Sequence, residues 1–174
     1  MKNGVEKDLE QSKYDKPHRL NHYDYSSVGS YMLTFNTKEG RNILSEVVRP
    51  SRYEPATVRL TPYGRITEKH ILHIPEAYSN VTLDNYVIMP NHVHLLLTVH
   101  FYVPAKRKDK PLISGIIRAT KAMISREIGE SIWQLDFYDV IADTEKRFLI
   151  CDQYIDDNPA VWLEKRGIEP EIPG

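Results

Sequence analysis

The chain has 174 residues, 41% hydrophobic and 27% charged, with a formal charge of −1 at pH 7. That length suits one domain able to bury roughly two thirds of its unfolded surface, so folding requires neither disulfide nor metal. The single cysteine, Cys151, excludes an internal disulfide and a zinc site built from several thiolates. No apolar run reaches the about 18 residues of a spanning helix, and residues 1–25 lack the apolar core of a secretion signal, so a cytoplasmic protein without a membrane partner is expected. Residues 1–28 are polar and aperiodic and read as a flexible arm. Residues 30–36 alternate and are rich in β-formers, which predicts a strand; 38–41 is a turn, and 42–48 is a second strand expected to form a hairpin with the first. Pro50 and Pro55 bracket a break.

Thr61 followed by Pro62 is a helix start, and the helix over 61–78 should end or kink at Pro75. Strands follow at 81–89 and 92–99, the latter apolar on both faces and so expected at the centre of a sheet. Residues 102–111 form a basic loop, and 112–128 a helix closed by Gly129. A short strand falls near 137–141. Asp143 then caps a last helix over 144–157, which stops before Pro159. Residues 164–174 read as an irregular tail. This order predicts an α+β fold: a ferredoxin-like antiparallel sheet with helices on one face, plus an additional C-terminal helix.

Charge is unevenly spread. Residues 104–127 carry seven basic side chains (Lys106, Arg107, Lys108, Lys110, Arg118, Lys121 and Arg126) against two acidic ones, whereas 128–174 carries four basic and eleven acidic. The basic segment suits either a phosphate-bearing partner or a solvated loop and helix face.

Two smaller patterns carry chemistry. His92 and His94 lie two apart on a strand, so both imidazoles face one side, about 7 Å apart along the strand, and can converge on one divalent ion. Tyr154 and Asn158 lie four apart on the last helix and share a face. A phenol can act as a covalent nucleophile and an amide oxygen can serve as a further ligand. The alternative readings are core histidines, a half-buried packing tyrosine and a helix-capping asparagine.

The block Leu83-Asp84-Asn85-Tyr86-Val87-Ile88-Met89-Pro90-Asn91-His92-Val93-His94-Leu95 resembles the strand-turn-strand of the single-tyrosine HUH transposases. The nearest branch looks like the REP-associated tyrosine transposases and their insertion-sequence relatives. Ile132-Trp133-Gln134, Phe137-Tyr138-Asp139, and Tyr154-Ile155 followed by Asn158-Pro159 match later landmarks in order and spacing, so the similarity spans roughly 29–163. The resemblance implies a ferredoxin-like domain that cleaves and rejoins single-stranded, hairpin-bearing DNA through a 5′-phosphotyrosine. It implies Tyr154 as nucleophile, with His92, His94 and Asn158 holding Mg2+ or Mn2+. The chain departs from the pattern at Val140, where relatives often carry His, and at Ala142, where a basic residue is common. A non-catalytic nucleic-acid-binding relative and a metal-dependent phosphoesterase stay open as alternatives, as does a monomer or a homodimer.

Overall fold

The computed structural model describes residues 28–51, 53–103 and 111–167. The arm expected before Val28 and the tail after Gly167 lie outside the described residues. Among the described residues six strands are present: β1 (Gly29–Asn36), β2 (Ser45–Val48), β3 (Thr57–Leu60), β4 (Val81–Ile88), β5 (His92–Val99) and β6 (Tyr138–Ala142). Three long helices, α1 (Pro62–Leu72), α3 (Leu112–Ile128) and α4 (Glu145–Glu164), accompany a single turn, α2 (Ile74–Ala77).

The main sheet has the order β4-β5-β1-β6 and is antiparallel throughout. β1 and β5 occupy its middle, which explains their apolar residues on both faces. Tyr31, Leu33, Phe35, Val93, Leu95 and Leu97 point to one side, where Ile71 of α1 and Ile113, Ile116, Ile117 and Ile124 of α3 cover them. Met32, Val87 and Leu96 point to the other, where Cys151 and Ile155 of α4 close over them, together with Val47 and Val58 of the β2–β3 hairpin. Each such aliphatic side chain contributes about 1.5–3 kcal/mol by leaving water.

The expected hairpin between 42–48 and β1 does not form. Both edges of β1 are taken, by β5 and β6. The chain therefore leaves the sheet through a 3-10 turn (Lys38–Gly40), and β2 pairs instead with β3, a strand that periodicity did not predict. α1 begins as expected, with the Thr61 hydroxyl accepting from Gly64 N (3.1 Å). Gly64 is required there: a Cβ would lie 2.0 Å from the Leu44 carbonyl oxygen. α3 has the expected limits and ends on Gly129 at φ 90°, a left-handed cap.

Two corrections concern α4. Its cap is Thr144, whose hydroxyl accepts from Arg147 N (3.2 Å), while Asp143 pairs with the Arg147 guanidinium (3.4 Å). The helix also runs through Pro159 to Glu164. An internal proline costs about 3 kcal/mol; burial of Pro159 and Leu163 and the packing of Trp162 on the sheet offset it. Among the described residues no helix is long and apolar enough to cross a membrane.

Candidate functional site

β5 opens on His92, directly after the Pro90-Asn91 turn. The two-residue period puts His92 and His94 on the face that α4 covers. Both are buried, with ring centroids 4.8 Å apart. α4 crosses this face so that Tyr154 meets His94, centroids 5.3 Å apart, and Trp162, two turns further on, lies 6.0 Å from His92. Asn158 is buried one turn beyond Tyr154, and its amide nitrogen points back to the Tyr154 carbonyl (3.4 Å). The structure thus brings His92, His94 and the Tyr154 ring into one aromatic cluster.

The histidines are oriented by neighbours. Asn91 directs its amide nitrogen to the Gly40 carbonyl (3.4 Å), which turns its oxygen towards His92 Nδ1 (2.7 Å). The Asn91 oxygen can only accept, so His92 donates through Nδ1, which in the neutral ring leaves Nε2 as the ligating nitrogen. Thr34, opposite His94 on β1, places its hydroxyl 2.7 Å from His94 Nδ1. Both Nε2 atoms are buried. Ring nitrogens held in this way are the usual arrangement of metal-binding histidines. The donors are two imidazoles and, on α4, one amide; among the described residues no group of three or more His, Cys, Asp or Glu gathers as a metal centre.

Asn91, Thr34 and Trp162 were not among the sequence candidates. Asn91 had a signal in its adjacency to His92. Thr34 and Trp162 reach the site only through strand register and the continuation of α4 past Pro159. The Arg166 guanidinium stacks 3.3 Å from the centre of the Trp162 ring, so a cation borders the cluster.

The basic candidates separate. Arg118 and Arg126 are exposed on α3. Lys121 is turned inward and only 9% exposed. Its ammonium donates to the carbonyls of Gln134 (2.9 Å), Leu135 (3.3 Å) and Asp136 (2.7 Å), and burial pulls its pKa down to about 8 against the opposing Asp136 charge. Its charge serves the loop before β6 and not an outer surface. Lys106, Arg107, Lys108 and Lys110 lie outside the described residues. Val140 is half-buried and packs with the α4-side core; Ala142 is buried there.

No protein-family profile matches the chain. An uncharacterised protein of Haemophilus influenzae is 27% identical over 163 residues, covering 83% of this chain and 87% of that one. Among solved structures, the REP-associated tyrosine transposase bound to a REP hairpin aligns with a TM-score of 0.57 at 20% identity, over 89% of this chain and 76% of that one. In fold, the chain is similar to a REP-associated tyrosine transposase. A candidate transposase of Deinococcus radiodurans aligns with a TM-score of 0.45 at 18% identity, over 82% of this chain and 97% of that one, too distant to define a shared fold.

Proposed function

We propose that the chain is a metal-dependent, single-stranded DNA transposase or endonuclease that cleaves and rejoins DNA at hairpin-bearing sites through a 5′-phosphotyrosine. The observation that carries this reading is the meeting of Tyr154 with the oriented histidine pair, ring to ring at 5.3 Å. The strand order β4-β5-β1-β6 supports a ferredoxin-like arrangement. The hairpin bound by the REP-associated transposase supports the class of substrate.

In this reading His92, His94 and Asn158 would hold Mg2+ or Mn2+, and the ion would supply Lewis-acid stabilisation of the phosphate and the leaving oxygen. The phenolic oxygen of Tyr154 gives up its proton and bonds to phosphorus. The bond from phosphorus to the 3′-oxygen breaks, and that oxygen leaves as a 3′-hydroxyl after taking a proton. The phosphotyrosine stores the ester bond, so a second 3′-hydroxyl can reverse the step on another strand without external energy. Asn91 and Thr34 keep the imidazoles facing the reacting phosphate. Arg118, Arg126 and the basic residues Lys106, Arg107, Lys108 and Lys110 would supply salt-sensitive affinity for the DNA backbone. Arg166, stacked at the rim, would add one more positive charge.

The test is a denaturing gel for a covalent adduct, with a panel of single-stranded hairpin oligonucleotides in Mn2+ and in chelator. A metal-dependent adduct is expected; binding of hairpins with no adduct in Mn2+ or in Mg2+ added in its place would instead identify a non-catalytic relative. That second reading is favoured by Val140, an apolar side chain where relatives often present an imidazole.

A further inference from the structure

α4 meets the sheet mainly through apolar side chains. Such contacts hold a helix down but say little about its rotation or its register along the sheet. A polar clasp supplies both. The Asn85 amide nitrogen on β4 donates to Asp152 Oδ1 (2.7 Å) and to Asp156 Oδ1 (2.9 Å). An amide NH2 has two hydrogens, one for each carboxylate. Asp152 and Asp156 are one turn apart, and Tyr154 lies between them in the chain. The other end of the amide is fixed too, because Asn85 Oδ1 accepts from Tyr86 N (2.7 Å).

Asn85 reaches this position because of a β-bulge. Leu83 faces Leu97, but Asn85, not Asp84, faces Leu96. The extra residue shifts the side-chain alternation by one position. Without the bulge, Asp84 would stand opposite Leu96, on the face covered by α4, and three carboxylates would converge beneath the helix. With it, Asn85 takes that place, and Asp84 lies one position nearer the start of β4, where it accepts from the hydroxyls of Thr82 (2.9 Å) and Thr98 (2.5 Å).

We infer that Asn85 is a positioning residue for Tyr154: one amide bridging two helix carboxylates sets the rotation and register that bring the phenol to the histidine pair. This rests on the proposed function only for its kinetic arm, so the experiment has two readouts. The first uses the full chain without DNA and measures the nuclear Overhauser contact between the Tyr154 and His94 rings. Asn85→Ala should weaken it, and Asn85→Asp, which adds a third carboxylate, should abolish it. Adding Asp152→Asn to Asn85→Asp returns an amide opposite a carboxylate and should restore it. The second readout is the single-turnover rate of adduct formation on a hairpin that the wild-type protein cleaves. Asn85→Asp should lower this rate about a hundredfold with the DNA dissociation constant unchanged, and the exchanged pair should recover most of it.

Far-ultraviolet circular dichroism, which does not depend on Trp162 in the cluster, reports whether each variant folds. If Asn85→Asp does not fold, Asn85→Ala decides. An intact ring contact in Asn85→Ala and Asn85→Asp, or failure of the exchange to restore it, overturns the inference. A wild-type protein that forms no adduct while its ring contact follows the substitutions overturns the proposed function and leaves the positioning role standing.

Discussion

The Tyr154 ring meets the His94 ring edge-on, with centroids 5.3 Å apart and planes at 76°. The partners come from the central strand and the last helix, 60 positions apart in sequence. Only the crossing of α4 over the second face of the sheet joins them.

Replacing Tyr154 by Phe keeps this edge-on contact and removes one oxygen. Stability should change by about 1 kcal/mol or less, seen as a small shift in urea midpoint. Hairpin DNA should still bind, while the covalent adduct disappears from a denaturing gel. An adduct that persists would assign the nucleophile elsewhere.

Asn91→Ala removes the acceptor that holds the His92 Nδ1 proton. The ring is then able to turn or change tautomer, and affinity for Mn2+ should fall about 10–100-fold. Titration followed by electron paramagnetic resonance measures this without any DNA. An unchanged dissociation constant would remove Asn91 from the account of the site.

Lys121 and Arg118 sit on one helix and should behave oppositely. Lys121→Met leaves three loop carbonyls without their donor and should cost about 2–4 kcal/mol in urea unfolding. Arg118→Ala should cost less than about 0.5 kcal/mol, yet reduce the salt dependence of DNA binding by about one ion. Equal stabilities for the two variants would contradict the inward placement of Lys121.

Burial pushes the Cys151 thiol up to about 11, slightly opposed by Arg147. The native thiol should therefore resist a disulfide reagent at pH 8 and react promptly in urea. A raised native pKa contributes stability that is complete below the ordinary thiol pKa and is lost as pH climbs through about 11. The wild-type protein should thus lose more stability than Cys151→Ala between pH 8 and pH 10.5, about 2 kcal/mol by linkage. Parallel losses in the two proteins would place the thiol in contact with water.

Much of this architecture is legible in the chain because it is locally encoded. The two-residue period fixes His92 and His94 on one face, and the stripe from Ile113 to Ile124 with Gly129 behind it defines α3. What stays hidden depends on partners distant in sequence. The hairpin with β1 looks sound until β6, which starts at Tyr138, occupies that edge. Pro159 reads as a stop until the burial around it is known. Lys121 reads as a surface charge, although its neighbours three and four positions away, Ile124 and Ile117, are both in the core stripe. The Asn85 clasp depends on a one-residue bulge, which alternation cannot reveal.

The pairing of β1 with β6 bears on synthesis. A ribosome emits β1 about 100 residues ahead of its second neighbour and of the helix that roofs Met32 and Leu96. Until then the growing polypeptide carries a greasy, half-covered ribbon, and such intermediates are the ones that clump or call on chaperones.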